Sequence, residues 1–197
     1  MGFRLNLNEA VKRRQESPIS IDTGPLDPAE YRAIDQQLVP HWRTFYRLLW
    51  HLGIRVSEGL AITVADLTSS GVVVGRLKKS EDAREELPLP RWLLDELKAQ
   101  APLRKSRRVF PYTRQAAHAA LLKAARAAGL SRRVHPHNYR HAFGRRALLL
   151  KLGGSELDHK QLVAGLMGHS STRYVDRYGR PGKPEIEAAW RRLHASP

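Results

Sequence analysis

The chain has 197 residues, a formal net charge of +15 and no cysteine, which excludes disulfides, thiolate metal sites and cysteine nucleophiles. That length suits one domain with a proper core, and no apolar run nears the ~18–20 residues that span a bilayer, so neither a membrane partner nor a location outside the cytoplasm is expected. The charge is uneven: residues 1–100 carry 14 Lys/Arg and 14 Asp/Glu, whereas residues 101–197 carry 20 and 5, an electrostatic footprint for a polyanion, most often nucleic acid.

Residues 1–25 read as a basic arm or linker containing Lys12-Arg13-Arg14 and punctuated by Ser17-Pro18 and Gly24-Pro25. A first helix opens at Asp27-Pro28-Ala29-Glu30, where Asp27 is a cap, Pro28 suits the first helical position and Glu30 completes a capping box. Trp42, Phe45, Leu48, Leu49 and Leu52 form the apolar stripe of a second helix, with Gly53 as its stop; these aromatics are assigned to the core. Ser57 is expected to cap a further helix through Leu60. Residues 72–77 read as a strand and Leu87-Pro88-Leu89-Pro90 as its partner, with a turn over 80–86 and Lys78 and Lys79 beside the hairpin tip. Helical patterns then recur at 91–100, about 114–128, about 137–152, about 158–167 and near 184–194. The expected fold class is mainly α with one small antiparallel β-hairpin (α+β).

Two segments concentrate chemistry. His135-Pro136-His137-Asn138-Tyr139-Arg140-His141 lies in a stretch with no acidic residue between positions 101 and 155. Gly168-His169-Ser170-Ser171 is followed nine positions after His169 by Tyr178. Guanidinium groups that stay charged, imidazoles that move protons and a phenol that attacks suit the handling of a phosphodiester. His137 and His141 stand four apart, a spacing that also suits a metal, but no Asp, Glu or Cys stands nearby to complete a shell, so neither a metal nor another cofactor is expected.

Taken in order, Arg55 in Gly53-Ile54-Arg55-Val56-Ser57-Glu58, a hairpin lysine, His137-x-x-Arg140, Leu166-Met167-Gly168-His169 and Tyr178 resemble the active-site set of the tyrosine recombinase (phage integrase) family. The resemblance covers roughly residues 26–195 and implies the catalytic-domain fold of that family over 26–197. It implies that Arg55 and Arg140 clamp a DNA phosphate and that Tyr178 attacks the phosphorus, leaving a 3′-phosphotyrosyl bond and a free 5′-hydroxyl. His137 would then help to take the tyrosine proton, Lys78 would protonate the departing oxygen, and His169 would orient the phosphate. Tyr174 is the rival nucleophile, but Tyr178 has the family spacing. Lys78 is preferred to Lys79, and the choice between them stays open because a strand alternates its faces. Tyr139 stands where the family usually has leucine, a difference expected to affect packing.

Lys79, Arg132, Arg133, Arg145, Arg146, Arg173 and Arg177 are the expected DNA-backbone contacts. No separate core-binding domain is expected ahead of residue 26, which makes the chain similar to the short, single-domain recombinases of the bacterial fimbrial-switch type. The implied partners are double-stranded DNA, three further copies in a tetramer on two sites, and an accessory or DNA-bending protein. A catalytically silent DNA-binding protein of the same fold and a type IB-like topoisomerase are the alternative functions.

Overall fold

The computed structural model describes residues 24–75, 84–100, 107–150 and 155–168. The N-terminal arm, Lys78, Lys79, His169, Arg173, Tyr174, Arg177, Tyr178 and the helix expected near 184–194 lie outside the described residues.

Helix α1, Pro28–Gln37, starts as its sequence dictates. Asp27 Oδ1 accepts from the backbone N–H groups of Ala29 (2.7 Å) and Glu30 (2.8 Å), while Glu30 returns the bond to Asp27 N–H (3.1 Å). Each satisfied N–H removes one of the orphan donors at a helix start. Helix α2, Pro40–Leu52, carries the apolar stripe and ends at Gly53, whose φ of 60° is left-handed. That glycine is needed twice over, because a Cβ there would also sit 2.3 Å from Phe143 Cδ1. The close approach seats the end of α2 directly against the helix that carries His137 and Arg140.

Helix α3, Val56–Ala61, is capped by Arg55 rather than by the expected Ser57, which lies inside the helix. The difference arises from Glu58, whose carboxylate reaches back to accept the Arg55 backbone N–H at 2.7 Å, so the helix start is closed from its third residue and needs no serine cap. A 3-10 turn over Val64–Asp66 leads into the hairpin.

Strands β1, Gly71–Gly75, and β2, Arg84–Pro88, pair antiparallel in a two-stranded sheet, with Val73 opposite Glu86 and Gly75 opposite Arg84. The partner strand therefore runs from Arg84 to Pro88, not from Leu87 to Pro90. Charged residues had marked 84–86 as turn, yet a two-stranded sheet has a solvent side that accepts them. On that side Glu86 takes hydrogen bonds from the hydroxyls of Thr68 (2.7 Å) and Ser70 (2.9 Å), while Val72 and Leu87 turn to the core.

Four helices complete the described fold: α4 Arg91–Gln100, α5 Arg114–Ala127, α6 Pro136–Leu149 and α7 Glu156–Leu166. Helix α2 is the hub, packing on α6, α4, α1 and α3, while α1 packs on α5. Phe45, Tyr46, Leu48 and Leu49 are fully enclosed, and the Tyr46 hydroxyl donates to Ala117 O at 2.7 Å, tying α2 to α5. The α2 aromatics thus belong to the core, as their spacing indicated. Tyr139 joins them, 4.9 Å from the Tyr46 ring; its hydroxyl has no hydrogen-bond partner, and burial pushes its phenol well above the ordinary range. No helix among the described residues is long and apolar enough to cross a membrane.

Candidate active site

The packing of α2 against α6 brings the two arginine-bearing segments to one place. Arg55, at the mouth of α3, and His135, His137 and Arg140, in the first turns of α6, line a single cavity of about 700 Å³. Sequence separates Arg55 from Arg140 by 85 positions, and the packing of α2 on α6, with the Gly53–Phe143 approach and the Arg140 hydrogen bonds, closes that gap.

Each arginine is held by a different device. Arg55 keeps a part-exposed side chain, and its Nη1 donates to the carboxylate of Glu58 at 2.7 Å. Glu58 is buried to 1% and accepts from Arg55 at both oxygens, so the guanidinium is anchored from behind while its chain borders the cavity. Arg140 is itself 1% exposed, among the most enclosed side chains of the domain. It donates through Nη1 to Gly53 O (2.5 Å) and through Nη2 to Met167 O (2.6 Å). A buried guanidinium is tolerable only with partners of this kind, and here they fix the end of α2 and the end of α7 around one charge. The bond to Met167 holds the chain two positions before His169.

His135 caps α6, its N–H donating to Asn138 Oδ1 at 2.5 Å, and burial, then His118 and Arg133, lower its pKa. His137 is exposed and meets His141 edge-on at 4.5 Å. Among the described residues no group of three or more His, Asp or Glu side chains is placed to hold a metal. Among the described residues no carboxylate lines the cavity, whose second wall is formed by Arg114, Gln115 and His118 of α5.

The arginines expected on the DNA backbone divide. Arg133 is exposed and Arg145 half-buried. Arg132 instead points into the domain, pairing with Glu30 through Nε at 2.5 Å and donating to Gly24 O and Pro25 O at 3.2 Å each. Arg146 lies over the Trp50 ring, 3.6 Å from its centroid, and donates to Trp50 O. Burial lowers its pKa to about 10. These two hold the domain together, Arg132 at the entry of the chain and Arg146 between α6 and α2. Glu58, Arg114 and His118 were not singled out from the sequence; the three-residue offset of Glu58 from Arg55 was the one legible signal among them.

Residues 26–183 match the model of the phage integrase family. The chain belongs to that family. The matched range includes Arg55, His137 and Arg140, and also Lys78, His169 and Tyr178. The chain is 30% identical over 165 residues to the tyrosine recombinase XerD of Corynebacterium glutamicum, covering 77% of this chain and 52% of the relative. It thus spans about half the length of that curated relative. Among solved structures, the fold is similar to the XerH site-specific recombinase in its post-cleavage complex with a palindromic difH substrate, with a TM-score of 0.70 and 18% identity over 88% of this chain and 54% of that one. It is also similar to the catalytic domain of bacteriophage HP1 integrase, with a TM-score of 0.61 and 18% identity over 85% of this chain and 94% of that one. The mostly helical build with a two-stranded antiparallel sheet is the catalytic-domain fold of the phage integrase family.

Proposed function

We propose that this phage integrase family member is a site-specific DNA recombinase that cuts and rejoins strands through a 3′-phosphotyrosyl intermediate. The observation that carries the reading is the convergence of Arg55, His137 and Arg140 on one cavity with no carboxylate among its described lining residues. Such a cavity suits a phosphodiester whose negative charge grows in the transition state, where fixed cationic donors act most strongly.

In this reaction the Tyr178 oxygen bonds to phosphorus and the bond from phosphorus to the 5′-oxygen breaks. His137 helps to remove the tyrosine proton, Lys78 or Lys79 supplies one to the leaving oxygen, and His169 donates to the phosphate. The phosphotyrosyl bond conserves the energy of the broken linkage, so rejoining to another 5′-hydroxyl needs no nucleotide cofactor. Exchange between two duplex sites involves four strand cuts, hence four copies of Tyr178, which accounts for a tetramer on paired sites. Tight binding is expected to depend on that assembly or on an accessory protein.

The test is covalent trapping on nicked duplexes drawn from the DNA flanking the coding sequence. An SDS-resistant adduct that disappears in Tyr178→Phe supports the reading. Binding to the same DNA with no adduct overturns it in favour of a silent DNA-binding protein. Relaxation of supercoiled DNA of any sequence favours the topoisomerase alternative.

A further inference from the structure

The α5 wall of the cavity has no task in the reaction proposed above. Arg114, Gln115 and His118 line it, while Ala117, Leu121, Ala124 and Ala125 of the same helix face the core. The four-residue spacing of Arg114 and His118 sets them one above the other on the cavity side. His118 stacks on His135, with ring centroids 5.0 Å apart and planes within 16°, and both line the cavity. The Nε2 atom of His118 is buried and has no hydrogen-bond partner among the described residues. A buried polar atom of that kind is unfavourable until something supplies the missing bond.

Packing alone accounts for a stacked ring pair, but not for its surroundings. Arg133, in the loop before α6, acts on His135 directly, and the pair shares the cavity with Arg114 on the helix of His118, Arg55 at the start of α3, and His137 and Arg140 on α6. All are cationic or can become so, the charge of Arg55 being offset from behind by Glu58, and none of the described lining residues is acidic. Their mutual repulsion is relieved by an anion. The cavity, at about 700 Å³, also falls in the size class that houses whole small ligands, which exceeds one phosphodiester group.

We propose that Arg114 and the stacked His118–His135 pair hold a second backbone phosphate of the bound DNA strand, beside the phosphate handled by Arg55 and Arg140. This inference rests on the recombinase reading and deepens it. The second contact breaks no bond and reads no base; it fixes the strand's register, so that the reacting phosphate is presented in line with its nucleophile.

The test uses the full chain with isotopically labelled histidines. Imidazole resonances are followed from about pH 5 to 8.5, with and without a short duplex of unrelated sequence, and DNA binding is checked by fluorescence anisotropy. The expected result is a rise of about one pKa unit at His135 on DNA binding, a tenfold gain in proton affinity from the adjacent phosphate, with the His118 resonances displaced alongside. If DNA binds and moves His137 but leaves His118 and His135 unchanged, the second phosphate site is wrong and the recombinase site stands. If DNA binds and moves none of the three, the cavity is not where DNA lies and both readings fall. His118→Gln gives an independent arm. It should weaken DNA binding about tenfold at pH 6 and less at pH 8, because only the charged imidazole is lost in full. An equal loss at both pH values would point to a packing role and overturn the proposal.

Discussion

The two halves of the chain neutralise their arginines in different ways. In the acid-balanced first half the partner is a carboxylate: Arg47 pairs with Asp35 and Glu96, Arg55 with Glu58, and Arg84 with Asp66. In the acid-poor second half Arg132 still reaches a carboxylate, that of Glu30 in the first half, but the site's Arg140 and its neighbour Arg146 turn to backbone carbonyls, those of Gly53, Met167 and Trp50. A carbonyl satisfies the hydrogen bond but leaves the formal charge in place. The second half therefore keeps a positive field at the cavity after its arginines are structurally bonded, whereas the first half does not.

The sharpest way to break this contrast is at Arg55, a cavity arginine held by the carboxylate of Glu58. Arg55→Ala should lower the rate of adduct formation by about 10²–10³ fold, the usual consequence of removing one transition-state donor. Because the buried Glu58 then loses its guanidinium donor while keeping the backbone N–H of residue 55, stability should fall by about 1–3 kcal/mol in urea unfolding. Adding Glu58→Gln should restore much of that stability and none of the rate. Recovery of both would mean that Arg55 is structural only.

Arg140→Met tests the carbonyl-bonded half. It removes the donor from two carbonyl acceptors, at about 1–3 kcal/mol for each one left buried without a partner. A midpoint shift of at least ~1 M urea is expected at an m-value of about 1–3 kcal/mol/M. A variant as stable as the wild type would show that Gly53 and Met167 do not depend on this guanidinium.

Salt separates the halves at the level of binding. DNA affinity should fall linearly with log salt, with a slope near −0.9 for each phosphate contacted. Arg133→Ala should reduce that slope by about one, and Arg132→Ala, whose side chain is bound to Glu30, should leave it unchanged while lowering stability. Equal slopes for the two variants would remove the distinction between outward and inward arginines.

The smallest effect is expected at Asp66. Burial opposes its ionisation, but hydrogen bonds from Thr63 and the Arg84 guanidinium outweigh it and hold the folded pKa below the ordinary value. A depressed carboxylate stabilises the fold above its unfolded pKa and loses that contribution as pH falls through the folded value. Asp66→Asn should thus flatten part of the acid limb of stability below about pH 4 and change nothing near neutrality beyond the loss of the Arg84 pair. An unchanged acid limb would assign that limb to other carboxylates.

Much of this protein could be read locally. The Asp27–Glu30 capping box, the stripe from Trp42 to Leu52 and the stop at Gly53 all follow from residue types within a few positions of one another, whereas Arg55 and His137-x-x-Arg140 were picked out through their resemblance to the family's motifs. Periodicity and capping are short-range properties, so a sequence determines them by itself. Where the hairpin's second strand begins was misjudged, because charge on residues 84–86 signals a turn unless the solvent side of a partner strand is known.

Direction was decided by tertiary packing. Arg132 and Arg133 are neighbours in sequence, yet one bonds Glu30 and the other is exposed. His118 and His135 stand 17 positions apart and become one stacked pair only because α5 and α6 share a wall. Residue type and spacing determined which chemistry this chain possesses. Which guanidinium faces the cavity and which is enclosed depends on helix contacts between distant segments, and a side chain's orientation is set by those contacts rather than by its neighbours in the chain.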